Sequence, residues 1–321
     1  MTGVQTCALP ISLSSATQPL AVPREGLAAL ARDYSVLIKA RITTLIVMTA
    51  WAGAYFAAAK SGASLLSWTL LHALIGIGLV SGGTAAINEV VERDLDALMR
   101  RTSGRPLVTG SMGLMHASVV AFGMTIGGVL YLWATTNWLT AVLAALTSIS
   151  YLTVYTPMKR VHPICTFLGA FPGAMPPVLG WTAIRGRLDP EAFVLFAILF
   201  FWQFPHFHSI AWLYREDYEN ARIRMLPVVE SDGRSTALAI MMYALALVPV
   251  SLAPTLMGMA GWTYFAGALL LGGGMLWFSL RMWTMKLTPA APASKLRARH
   301  VLQASVIYLP LLFALMMLNR A

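Results

Sequence analysis

The sequence predicts an all-α, polytopic membrane protein, a single bundle of nine transmembrane helices. Three observations lead there. Hydrophobic residues make up 58% of the chain and charged residues only 11%, against roughly 25% charged in an ordinary soluble domain, so there is too little polar surface for water. The apolar residues fall into runs of about 20, the length at which a helix crosses a ~30 Å hydrocarbon core. No alternation of period two competes with the helical pattern, and basic residues gather in alternate gaps between the runs.

The runs lie at 40–59, 65–88, 112–133, 138–156, 163–184, 191–213, 235–257, 261–284 and 300–318. The gaps are too short to hold a separate soluble domain. The fifth run contains Pro172, Pro176 and Pro177 with Gly169, Gly173 and Gly180. Such residues break a helix and let neighbouring backbones approach, a role in shape. The sixth carries Gln203, His206 and His208, polar groups that are costly in lipid and therefore turn toward protein or a cavity. His206 and His208 are two residues apart, so on a regular helix they face different sides. His72, His116 and His300 read as structural or interfacial, and the 18 methionines as adaptable packing.

Orientation follows from the charges. Of 23 Lys and Arg, all but Lys60, Arg185, Arg187 and Arg320 lie before or at the start of the first run, or at the end of or after even-numbered runs. The positive-inside bias puts that side, with the N-terminus, in the cytoplasm. The net charge of +10 is thus a topology signal that suits an anionic membrane face. Scattered over short loops, it does not form the continuous basic face that nucleic acid requires. Residues 1–12, MTGVQTCALPIS, have neither the basic start nor the apolar core of a signal peptide. TGVQTCALPI resembles the translation of a sequencing-library adapter, so this stretch is set apart as a probable artefact. Residues 13–38 form a cytoplasmic N-terminal segment and 39–321 one transmembrane domain. No transit-peptide pattern is visible, which favours a bacterial inner membrane. Without Cys7, Cys165 stands alone, excluding an internal disulfide or a Cys-based metal site.

The scarce charge is concentrated. Most of the 13 acids lie in 89–96 and 216–232, directly after the second and sixth runs. Asn88, Glu92 and Asp96 are spaced i, i+4, i+8 and share one helical face, with Met99. Three oxygen donors on one stripe form part of a shell for a hard cation such as Mg²⁺, which keeps waters and substrate phosphate in its remaining positions. Arg100, Arg101 and Arg105 follow at once, and guanidinium suits phosphate oxygens. The plain alternative is a solvated helix end held by pairs such as Glu89 with Arg93. The second acidic segment offers Asp217 beside Arg215, Tyr218, Arg222 and Arg224. The parallel between the second and sixth runs, and between the basic loops YTPMKR and RMWTMK, suggests two four-helix repeats plus a ninth helix. Two acidic motifs facing each other would hold two Mg²⁺ ions around one diphosphate.

Read from Asn88 through Glu92, Asp96, Met99, Arg101, Thr102 and Arg105 to Gly110, the segment resembles the signature of the UbiA-type intramembrane prenyltransferases. Four stretches resemble the haem farnesyltransferases of that superfamily: RRTSGRPLVTG, GAFPGAMPPVLGW, WQFPHFHSIAWLYREDY and MLPVV. The resemblance runs from about residue 30 to the end. It implies a central cavity open to the cytoplasm, where Asn88, Glu92, Asp96 and Asp217 bind farnesyl diphosphate through Mg²⁺. Arg101, Arg105, Lys159, Arg160 and Arg215 would cradle the diphosphate, and His206, Tyr155 and Gln203 would line the acceptor cavity. The implied acceptor is haem b, giving haem O, with haem A synthase as an implied neighbour.

Some positions depart from the pattern. Asp217 is followed at i+4 by Ala221, so the second motif lacks an acid found in the wider superfamily, a reduction usual in haem farnesyltransferases. Arg222 and Arg224 stand where many relatives show Gly and Pro. Cys165, His162 and Ala40 replace Asn, Thr and Pro. A 4-hydroxybenzoate-type prenyltransferase is the nearest alternative. A transporter would place charges deep within its spans, and an oxidase assembly factor would not need the oxygen stripe.

Overall fold

The computed structural model describes residues 26–64, 67–230, 232–285 and 287–320. The segment 1–12, Cys7, Arg24 and Lys286 lie outside the described residues, as does the first half of 13–38, residues 13–25. Among the described residues, nine helices are long and apolar enough to cross a membrane: Ala40–Ser61, Trp68–Val91, Leu114–Thr135, Trp138–Met158, Cys165–Arg185, Pro190–Leu213, Arg234–Leu256, Trp262–Trp283 and Pro292–Leu318. The protein is a multi-pass, all-helical membrane protein. Outward faces carry exposed Ile42, Leu45, Phe122, Trp133, Leu270 and Trp277, which only lipid can solvate.

Eight spans begin within about three residues of expectation, the usual scatter of helix ends. The ninth starts at Pro292 rather than near 300, because hydropathy registers only its lipid-facing part. Its polar first turns are held by protein: Lys295 Nζ lies 2.9 Å from Glu216 Oε1, and Trp212 Nε1 donates to Ser294 Oγ at 3.1 Å.

The first span packs on the fifth and the second on the third, while the sixth, seventh, eighth and ninth pack together. The principal core joins Phe56, Trp181, Leu195, Ile198, Ile240, Leu247, Tyr264 and Leu312. As the prolines predict, the fifth span divides into Cys165–Ala174 and Pro176–Arg185. Its contact with the first span is backbone on backbone. A Cβ on Gly180 would lie 1.8 Å from the Ala50 carbonyl oxygen, and one on Gly53 would lie 1.9 Å from that of Pro177. Small residues make such approach possible in membranes.

The fourth span ends unexpectedly in a π-helical turn, Tyr151–Tyr155, before Thr156–Met158. Such turns often occur at functional sites. The second span ends at Val91, and a short helix, Arg93–Asp96, follows after Glu92. After the sixth span come Arg215–Asn220 and Leu226–Val229. Between those two, Arg222 adopts a left-handed φ of 54°. An arginine thus holds the backbone conformation that glycine favours, and the unusual residue leaves the turn in place at an energetic cost.

Two consequences can be measured on purified protein in detergent. Gly180→Leu must force the first and fifth spans apart, lowering stability by about 1–3 kcal/mol in thermal unfolding. Gly273→Ala, which faces open space, serves as the unchanged control. Arg222→Gly relieves the left-handed arginine and raises stability by roughly 1 kcal/mol.

Candidate active site

The stripe at the end of the second span survives the change of helix. Glu92 N donates to the Asn88 carbonyl at 2.9 Å and Asp96 N to the Glu92 carbonyl at 2.8 Å, so the i, i+4, i+8 spacing holds across the junction. Asn88, Glu92 and Asp96 are all buried. Met99 is not on the helix. It sits in the following loop and packs with Cys165, Ala211, Ala221, Ile223 and Met225. That apolar cluster, flanked by Tyr155 and Tyr218, brings the loop after the second span against the segment after the sixth.

Each oxygen group of the stripe faces its own cation from a different part of the chain. Lys39, immediately before the first span, donates from Nζ to Asn88 Oδ1 at 2.9 Å. Lys159, after the fourth span, donates to Glu92 Oε1 at 2.9 Å and Oε2 at 3.1 Å. Arg105 Nη1 donates to Asp96 Oδ2. The amide of Asn88 is oriented from its other side, with Nδ2 donating to Thr156 Oγ1 at 3.2 Å. Thr102 Oγ1 donates to the Asp96 carbonyl at 2.8 Å, which folds the loop back under the stripe.

Glu89 completes the cluster. It is fully buried, and neither carboxylate oxygen has a hydrogen-bond partner. Its nearest cation is Arg105, at 3.8 Å from Nε to Oε2. The Glu89–Arg93 pair of the plain alternative does not form, since Arg93 turns outward and meets Asp94 at 3.3 Å. Glu89 lies one residue from Asn88, about 100° around the helix, and that side turns out to face protein.

Burial raises the Asp96 carboxyl above its ordinary range, with Arg105 pulling the other way. Burial, reinforced by Arg105 and Lys159, draws the Lys39 ammonium down to about 8. For Lys159 burial works against the charge, but Tyr155, Tyr151 and the Glu92 carboxylate outweigh it and hold the ammonium above the usual lysine range. Its Nζ also lies 4.5 Å from the Tyr155 ring centre.

The second motif forms an open groove of about 440 Å³ lined by Arg100, Arg101, Leu213, Tyr214, Glu216 and Asp217. The Arg101 guanidinium lies over Tyr214 and Tyr218, 5.4 and 5.9 Å from their ring centres. Arg215 reaches Glu219 at 3.7 Å, and Arg160 is exposed. Lys159 and Arg224 are tied by a backbone hydrogen bond of 2.8 Å, which joins the basic loop after the fourth span to the second motif.

The residues expected at the acceptor cavity bond to different neighbours. His206 Nδ1 is 2.9 Å from Ser305 Oγ on the ninth span, and its ring stacks on Trp202. Gln203 is buried, donating to the carbonyls of Ala170 and Leu199 at 3.1 Å. Only Tyr155 touches the charged cluster directly. His208 bonds the Phe204 carbonyl, so the two histidines do face different sides.

Among the described residues, no three His, Cys, Asp or Glu side chains gather into a ready metal cluster. The donor chemistry still suits Mg²⁺. One amide oxygen and two carboxylates are buried together, and a third carboxylate beside them has no hydrogen bond. Hard oxygens of this kind are what Mg²⁺ binds. Lys39 and Glu89 are the members that sequence reasoning missed. Lys39 had registered only as a basic residue flanking a span, and Glu89 as one helical position off the stripe.

The UbiA prenyltransferase family profile matches residues 46–318. A protoheme IX farnesyltransferase of Koribacter versatilis (strain Ellin345) is 69% identical over 308 residues, 96% of this chain and 99% of that protein. One from Solibacter usitatus (strain Ellin6076) is 48% identical over 90% of this chain and 99% of that protein. Among solved structures, a digeranylgeranylglyceryl phosphate synthase superposes with a TM-score of 0.73 at 16% identity, covering 90% of this chain and 98% of its own. A UbiA homologue from Archaeoglobus fulgidus, bound to GPP and Mg²⁺, gives 0.58 at 16% identity, covering 88% and 99%. The shared fold, the profile across the spans and the near-complete coverage of relatives at 69% and 48% identity agree: the chain belongs to the UbiA prenyltransferase family.

Proposed function

We propose that the protein transfers the farnesyl group of farnesyl diphosphate to a vinyl group of haem b, releasing diphosphate and giving haem O. The observation that supports this most directly is the buried Asn88–Glu92–Asp96 stripe, in a chain 69% identical to a protoheme IX farnesyltransferase. Membership of a prenyltransferase family disfavours the transporter and assembly-factor readings. The charged face then lies in the cytoplasm, the protein in a bacterial inner membrane, and 39–321 is one catalytic domain of two four-helix repeats and a ninth helix.

In this reading Asn88, Glu92, Asp96 and Asp217 would hold Mg²⁺, which would supply positive charge to the diphosphate. Arg101, Arg105, Lys159, Arg160 and Arg215 supply further positive charge as the C1–O bond breaks and the electron pair leaves with diphosphate. The allylic carbon then bonds the terminal vinyl carbon, and water adds at the inner one, losing a proton to give the hydroxyethylfarnesyl group. A membrane cavity lined by Tyr155, Gln203 and His206 would keep water from the allylic cation before that bond forms. His206 and Gln203 act there as wall residues through their bonds to Ser305 and Ala170.

Membranes containing the protein, supplied with Mg²⁺, farnesyl diphosphate and haem b, should yield a haem heavier by a hydroxyfarnesyl unit in mass spectrometry of extracted haems. A chelator or Asp96→Ala should abolish it. Prenylation of 4-hydroxybenzoate with haem b unchanged would keep the fold and the metal reading but overturn the acceptor. In the same assay Asp217→Ala should lower kcat by about 10²-fold or more, as loss of a group that stabilises transition-state charge does. Equal rates in Asp217→Ala and wild type would remove Asp217 from the site.

A further inference from the structure

Lys39 has no role in the reaction as proposed so far, yet its ammonium occupies the amide oxygen of the stripe. It precedes the first span in a left-handed conformation, φ 48° and ψ 53°, which a non-glycine residue adopts at a cost. That geometry sends its ammonium to Asn88 Oδ1 at 2.9 Å. The cluster sets three cationic side chains, Lys39, Arg105 and Lys159, against three carboxyl groups, Glu89, Glu92 and Asp96. Three of these contacts, Lys39–Asn88, Lys159–Glu92 and Arg105–Asp96, involve the donors a metal would need.

We infer that Lys39 is a placeholder cation, holding Asn88 in the free protein and transferring to the diphosphate when a metal ion takes the amide oxygen, so that metal binding depends on diphosphate. The inference rests on the Mg²⁺ reading of the stripe. Its physical basis is the balance of buried charge. A divalent cation entering alone would add two positive charges to a cluster whose oxygen groups already face three cations, which a low-dielectric site strongly disfavours. Entering together with diphosphate, it brings its own counter-charge, and Lys39, once displaced, has phosphate oxygens to meet. Lys39 is therefore a positioning residue, acting through Asn88 and through charge.

The test is a titration of the full chain in detergent with Mn²⁺, following free Mn²⁺ by electron paramagnetic resonance, with and without inorganic diphosphate. The Mn²⁺ affinity of the protein is obtained after subtracting Mn²⁺ bound to diphosphate in protein-free controls. Wild type should bind Mn²⁺ weakly alone and about ten-fold or more tightly with diphosphate, within the usual range of site coupling. Lys39→Met should tighten Mn²⁺ binding in the absence of diphosphate and reduce the coupling, whereas Lys39→Arg should keep it. Asn88→Ala, which removes the shared oxygen, should weaken Mn²⁺ binding in both conditions. Lys39→Met that binds Mn²⁺ more weakly than wild type, with Asn88→Ala also weakened, would make Lys39 a scaffold for Asn88; the proposal would fall and the metal reading stand. Coupling below two-fold in wild type would overturn the proposal without any variant. Wild type that binds no Mn²⁺ in either condition, in protein with an intact thermal transition, would overturn the metal reading and the proposal together.

Discussion

The architecture depends on bringing six charged side chains, four of them buried and two half-buried, to one place in a bundle that has few charges to spare. Breaking a buried ion pair by removing one member leaves the other uncompensated, at a cost of about 3–5 kcal/mol. The cluster at the end of the second span therefore requires three remote segments to arrive together. Lys39 comes from before the first span, Arg105 from the loop after the second and Lys159 from after the fourth. Helix packing that failed to deliver one of them would strand a charge next to lipid.

The apolar contacts around the cluster make that delivery possible. Gly53 and Gly180 let the first and fifth spans meet backbone to backbone, which fixes where the first span begins and so where Lys39 lies. Met99, Ala221 and Met225 seat the loop after the second span on the segment after the sixth. The π turn at Tyr151–Tyr155 ends the fourth span with Tyr155 beside Lys159. Each contact is ordinary packing, and together they place the cations to within hydrogen-bonding distance. A site assembled in this way is closed by its own charges, and it is opened by a ligand that carries charges of its own.

Much of this was legible in the chain. Nine spans, their order and the break in the fifth follow from hydropathy and from proline, because lipid admits only helices whose backbone bonds are satisfied internally. Asn88, Glu92 and Asp96 could be read as one face because helical spacing is a local property, and two backbone bonds across Glu92 preserve it. The start of the ninth helix was misplaced for the same local reason: its polar turns are stabilised by Glu216 and Trp212, which are remote in sequence. Glu89 read as a partner of Arg93 because i,i+4 pairing is the default on a solvated helix, and only the tertiary surroundings show that side to be buried.

Taken alone, the sequence determined the membrane class, the number of spans, the segregation of charge to one face and the residues of the oxygen stripe. These are properties of local period and composition, which no tertiary contact can undo. The tertiary structure alone decided which cation meets which oxygen, that Lys39 and Glu89 belong to the cluster, and that His206 reaches Ser305. Those outcomes depend on how far apart helices sit and how each is rotated about its axis. Both are set by the sum of many packing contacts across the bundle, of which any one stretch of sequence holds only a part.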